Sequence, residues 1–130
     1  MRIIENVTEM QRLADTWRAQ SERLALVPTM GFLHKGHLAL VRNARELATK
    51  TVISIFVNPT QFAPNEDFGS YPRDLQRDID LATEEGTDVA FVPRTDEMYP
   101  EGFQTYVNVT EVTRNLAAGA GRSSFAVLPP

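Results

Sequence analysis

No cysteine occurs anywhere in the 130 residues. A disulfide framework and a thiol nucleophile are therefore excluded, and the composition fits a reducing, cytoplasmic setting. No apolar run approaches the roughly 18 residues of a membrane span. The longest, Val52 to Val57, is strand-sized. Basic residues are in deficit: 13 Lys and Arg against 17 Asp and Glu give a net charge of −4. They are also scattered rather than striped, which argues against a nucleic-acid surface. The start, Met1-Arg2-Ile3-Ile4, runs straight into acidic and polar sequence and lacks the pattern of a secretory signal. No repeat or low-complexity linker is visible. What is present is a hydrophobic content of 42%, enough for one core, since a chain of this size buries roughly two thirds of its unfolded surface.

Periodicity predicts an α/β chain. Ile3-Ile4 reads as a short edge strand, and Thr8-x-x-Gln11 has the spacing of a capping box opening a helix with Met10, Leu13, Ala14 and Trp17 on one side. Leu24 to Val27 is the first core strand. A helix follows from about His37 to Lys50, its core face reading Leu40, Val41, Ala44, Leu47 and Ala48. Thr51 to Val57 is β-branched and nearly all apolar, as expected of a strand covered on both faces. Residues 58 to 72 hold Pro59, Pro64 and Pro72 and read as a long loop, a length usually kept for function. Arg73 to Glu85 returns to helical spacing through Leu75, Ile79 and Ala82, with Gly86 as its C-terminal cap. Val89 to Val92 is the next buried strand, and Gln104 to Val109 alternates like an edge strand. Strands separated by helices imply a mostly parallel sheet, so the fold class is α/β and Rossmann-like.

The chain has only two histidines, and both fall in Pro28-Thr29-Met30-Gly31-Phe32-Leu33-His34-Lys35-Gly36-His37. This run leaves a core strand and enters a helix, the context in which α/β proteins bind phosphates. Gly31 and Gly36 permit tight turns, and a helix start offers N–H groups and a positive dipole end. Imidazoles there suit charge stabilisation during transfer. A His-x-x-His pair can also be two zinc ligands, but no cysteine and no nearby carboxylate supplies a third, so phosphate chemistry is favoured over metal. In open sheets ligands sit beyond the carboxyl ends of strands, which joins this loop to Asn58–Tyr71 in one cleft. Gln61 offers a donor and an acceptor there. Asn58 reads as a turn starter, Tyr71 and Phe62 as packing residues, Lys35 as exposed, and Glu66 and Asp67 as solvated.

Those residues resemble the His-x-Gly-His signature of the nucleotidyltransferase superfamily, and more narrowly the pantothenate synthetase (pantoate–β-alanine ligase) family. The narrower resemblance rests on further blocks in order and register: Ser54 to Phe62, Asn65 to Phe68, Tyr71-Pro72-Arg73 and Met98-Tyr99-Pro100. It implies an ATP- and Mg²⁺-dependent ligase that activates pantoate as pantoyl adenylate, releasing pyrophosphate, and passes the acyl group to β-alanine, releasing AMP. It implies ATP binding by Met30, Gly31, Phe32, Leu33, His34, Lys35, Gly36 and His37, with His37 and His34 as the catalytic pair. Gln61 and Met30 would bind pantoate, and Gln61 would border the β-alanine site. No protein metal ligand is implied. A cytoplasmic homodimer is the expected assembly.

The resemblance covers residues 1 to 116, expected to form the nucleotide- and pantoate-binding domain. Residues 117–130 depart from it. Codons for the family's Gly-Val-Ala-Thr, read one base out of frame, give Val-Leu-Pro-Pro, so the tail is expected to be frame-shifted. Two further readings stand beside the ligase. One is another nucleotidyltransferase, disfavoured by the Asn58–Phe62 and Tyr71–Arg73 blocks. The other is a non-catalytic fragment that binds pantoate weakly.

Overall fold

The computed structural model describes residues 1–63, 69 and 71–104, and the backbone of 107–108 and 126–127. The strands β1 (Arg2–Ile4), β2 (Leu24–Thr29), β3 (Lys50–Ile55) and β4 (Val89–Phe91) form one sheet in the order β1-β4-β3-β2. Every pairing in it is parallel, with Val27 beside Ile53 and Ile53 beside Ala90. The helices are α1 (Val7–Ala19), α2 (Lys35–Leu47), α3 (Leu75–Glu84) and the single turn α4 (Thr95–Met98). A 3-10 turn spans Pro59–Gln61. The α/β, Rossmann-like reading therefore holds.

Strand alternation assigns the two faces. Val27, Ile53, Ile55 and Ala90 point to one side, where Leu33, Val41 and Ala44 from the α2 region and Ala82 of α3 complete a core. Val52, Val89 and Ile4 point to the other, against Met10, Leu13 and Trp17 of α1. Successive residues 52 and 53 thus serve opposite cores, as the two-residue period of a strand requires. Burying one such aliphatic side chain is worth about 1.5–3 kcal/mol, so the sheet is the rigid platform on which the loops are mounted.

Several expectations shift. The capping residue of α1 is Asn6, not Thr8; its side chain accepts the Glu9 N–H at 2.9 Å while its amide also reaches Glu97. The α2 helix begins at Lys35 and ends at Leu47, and Lys50 belongs to β3, which stops at Ile55 rather than Val57. Leu40 and Leu47 are 53% and 69% exposed rather than part of the core. They share one flank of the stripe centred on Val41 and Ala44. Because β2 is an edge strand, that flank overhangs the sheet with nothing beneath it among the described residues.

The third helix runs from Leu75 to Glu84. Its buried residues are Asp78 and Ala82, and Leu75 is exposed. Gly86 ends it as expected: its φ is +83°, its N–H bonds Thr83 O at 3.0 Å and the Thr87 N–H bonds Ala82 O at 3.1 Å, a paired closure that only an easily left-handed residue accommodates. The edge strand expected over 104–109 appears as Val107–Asn108, paired antiparallel with Ala126–Val127 outside the main sheet. Glu66, Asp67, the block Asn65 to Phe68 and the tail beyond residue 116, apart from the backbone of 126–127, lie outside the described residues.

Candidate active site

At the end of β2 the chain is fastened before it turns. The Thr29 hydroxyl donates to Ser54 O of β3 at 2.9 Å and accepts the Gly31 N–H at 3.1 Å. Gly31 and Phe32 then take left-handed conformations, with φ of +80° and +51°. The turn directs the successive N–H groups of Phe32 and Leu33 to one side, where consecutive backbone N–H groups of a turn make a concave cradle for an anion. Here the anion is internal. The Phe32 and Leu33 N–H groups donate to the two oxygens of Asp78, both at 2.8 Å. Arg77, its neighbour on α3, donates to Leu33 O at 3.0 Å.

The histidines complete the turn by capping α2 with each other. His34 Nδ1 accepts the Gly36 N–H at 3.0 Å, and His37 Nδ1 accepts the His34 N–H at 3.1 Å. Their ring centroids stand 4.0 Å apart. A ring nitrogen that accepts carries no hydrogen, so in both neutral rings the proton sits on Nε2. Each Nε2–H is then a donor with no role in the cap. Burial, followed by the neighbouring His34, lowers the proton affinity of His37, and the Asp78 carboxylate partly offsets this.

This geometry revises how the loop can meet phosphate. Sequence reasoning assigned phosphate to main-chain N–H groups, but those of Gly31, Phe32, Leu33, His34 and Gly36 already have internal acceptors. Among its side chains the loop offers a ligand the two imidazole Nε2–H groups and the exposed Lys35 beside them.

The facing wall follows β3. Asn58 is 5% exposed. Its side-chain oxygen accepts from the Thr60 N–H at 3.0 Å, the Thr60 hydroxyl at 2.7 Å and the Tyr99 hydroxyl at 3.0 Å. Asn58 is thus the turn starter expected, and it sets the 3-10 turn that carries Gln61. Phe62 and Tyr71 pack edge to face at 5.8 Å. Between the walls lies a cavity of about 600 Å³ lined by Met30, His37, Asn58, Gln61, Tyr71 and Ser54, among others.

Of the residues singled out in sequence, Met30, His37 and Gln61 therefore share one cleft. Met30 also forms part of a smaller cavity of about 240 Å³, which Phe32 lines together with Arg73 and Arg94. Leu33 is 1% exposed and sits in the core. With its N–H and carbonyl both engaged, it holds the loop rather than facing the cleft. Sequence reasoning missed Asp78, Arg77, Thr29 and Tyr99. Asp78 left one trace: it is the lone carboxylate on the stripe of Leu75, Ile79 and Ala82.

Comparisons with known proteins identify the family. The pantoate-beta-alanine ligase family profile matches residues 2–127. A pantothenate synthetase of Syntrophobacter fumaroxidans is 60% identical over 125 residues, covering 96% of this chain and 44% of that protein. One from Geobacter sulfurreducens is 57% identical over 122 residues, covering 94% and 43%. The crystal structure of the pantothenate synthetase of Thermus thermophilus superposes with a TM-score of 0.78 at 48% identity, covering 92% of this chain and 41% of that one. The pantoate-beta-alanine ligase of Francisella tularensis, solved with β-γ ATP and β-alanine, gives 0.75 at 37% identity, covering 83% and 41%. The chain spans less than half the length of these relatives. It belongs to the pantoate-beta-alanine ligase family.

Proposed function

We propose that this chain supplies the nucleotide- and pantoate-binding wall of an ATP-dependent ligase that joins pantoate to β-alanine. The observation that carries this reading is the meeting of His37, Met30 and Gln61 around one cleft of about 600 Å³. The relative solved with β-γ ATP and β-alanine supports the ligand classes. In the first step a pantoate carboxylate oxygen attacks the α-phosphorus of ATP, and pyrophosphate leaves with the bonding pair. In the second the β-alanine nitrogen attacks the acyl carbon, loses a proton, and AMP leaves.

The protein contributes positions and charge rather than a nucleophile. The Nε2–H of His37, with that of His34 beside it, donates to phosphate oxygens as negative charge builds on them. Gln61 offers its amide N–H to the pantoate carboxylate and its oxygen to a hydroxyl, and Met30 packs on the apolar part of pantoate. Mg²⁺, bound to the triphosphate, would neutralise part of its charge. Among the described residues no group of three histidines and carboxylates stands ready to hold a metal alone. The homodimer implied by the family is tested by sedimentation equilibrium.

Phosphoryl chemistry needs cations clamping the developing charge, and the remaining length of the relatives is where that second wall is expected. The 130-residue chain alone should therefore form AMP from pantoate and ATP several orders of magnitude more slowly than a full-length relative. A rate within about tenfold would place the catalytic power in this half instead. The direct test is a chimera of residues 1–116 with the remainder of the Syntrophobacter enzyme. Pantoate-dependent exchange between ATP and pyrophosphate is expected, and a folded chimera without it would refute the assignment.

A further inference from the structure

We propose that Asp78 is the positioning residue of the His loop, fixing Phe32 and Leu33 by their N–H groups so that the His37 imidazole faces the cleft. The carboxylate is 1% exposed and stands 46 residues from the first N–H it binds. Nothing local holds Phe32 in a left-handed conformation, which is costly for a residue with a Cβ. The two charge-assisted bonds at 2.8 Å supply the compensation. Arg77 closes the grip from the other side through Leu33 O, and its guanidinium lies 4.0 Å from the carboxylate. Two adjacent residues of α3 thus hold both polar edges of one loop peptide segment.

The shape of the loop depends on this filling. An ideal Cβ on Gly31 would lie 3.0 Å from Asp78 Oδ2 and 3.1 Å from Ile55 Cγ2, so the carboxylate and the left-handed turn occupy adjoining space with none to spare. With Asp78 inside the cradle, a ligand phosphate is denied those two N–H groups and is left to the imidazoles. The role of Asp78 is therefore indirect: it acts on His37 through the loop and through its charge. This inference rests on reading the His loop as the ligand-binding element, but the measurements below use no nucleotide, so it stands or falls apart from the proposed reaction.

The test compares Asp78→Asn with an Ala82→Gly control by amide hydrogen exchange and imidazole titration in NMR. Asparagine keeps the shape but presents an N–H₂ group to one of the two donors. The Phe32 and Leu33 amides are expected to exchange about tenfold faster or more, with Val52 and Ile53 unchanged. The His37 titration should move to lower pH, because the charge that supports its proton is gone. Ala82→Gly loosens α3 through the core and should leave that titration in place. Wild-type exchange at Phe32 and Leu33 in folded Asp78→Asn, or an unmoved His37, overturns the proposal. Should Asp78→Asn not fold, wild-type protein decides: both amide nitrogens must show through-hydrogen-bond coupling to the Asp78 carboxyl carbon, and absence of both couplings overturns it.

Discussion

The two walls of the cleft are fastened by different chemistry. The His loop is held by charge: a buried carboxylate takes two N–H groups, and a guanidinium takes the carbonyl between them and the helix. The loop after β3 is held by neutral groups, an Asn58 amide shared among a backbone N–H and two hydroxyls. Both anchors lie far along the chain, at Asp78 and Tyr99. Under the proposed function, a charged clamp would suit a wall that presents donors to phosphate in a fixed direction, because charge-assisted bonds are shorter and roughly twice as strong. The neutral clamp adds no fixed charge to the wall that carries Gln61.

The largest expected effect on this contrast comes from His37. In the chimera with a full-length relative, His37→Ala should lower the rate of pantoate adenylation on the order of 10²–10³-fold, the usual loss for one transition-state donor. Single-turnover measurement of pyrophosphate release reads it, and an unchanged rate would remove His37 from the chemistry. Asn58→Ala comes next. It leaves the Thr60 N–H and Tyr99 hydroxyl without their acceptor and should cost about 1–3 kcal/mol in urea unfolding. A loss under about 0.5 kcal/mol would mean that the neutral wall holds itself without its amide.

A smaller effect separates the ligands of the two walls. Gln61→Ala should raise KM for pantoate about tenfold, the worth of a hydrogen bond to a charged group, and leave KM for ATP within twofold. Equal rises would reduce Gln61 to a support of its own turn. The smallest effect is that of acid. The folded-state proton affinity of His37 lies below the ordinary value of 6.5, so below that pH the unfolded chain binds the proton more readily than the folded one. Stability contributed by the neutral ring is present above pH 6.5 and declines as pH falls toward the lowered folded value. Urea midpoints measured from about pH 7.5 downward should fall, and His37→Gln should flatten that part of the slope. A midpoint profile identical in both proteins contradicts this linkage.

Much of this was legible in sequence, and the failures share a cause. β2, β3 and β4 were marked by apolar runs, β-branched in β3, and the parallel sheet followed from helices between them. The two histidines and Gln61 stood out because glycine and proline punctuate their loops. What escaped depended on partners distant in the chain. Asp78 sits at a core position whose polarity makes sense only when Phe32 and Leu33 are folded onto it. Leu40 and Leu47 fit the helical stripe, but their exposure is decided by β2 being the sheet's edge. The start of α2 was placed two residues late because an imidazole at position 34 is outside the usual set of Ser, Thr, Asp and Asn caps. In α1 two capping residues competed, and Asn6 prevailed with an added tie to Glu97, residue 97 being invisible from position 6.

Because His34 and His37 cap the first turn of α2, the proposed function and foldedness would draw on the same two side chains. Catalytic groups are commonly a burden on stability, and replacing them often makes a protein more robust. Here the reverse is expected. A mutational survey that scores cellular abundance alone should mark positions 34 and 37 as intolerant, although neither is buried.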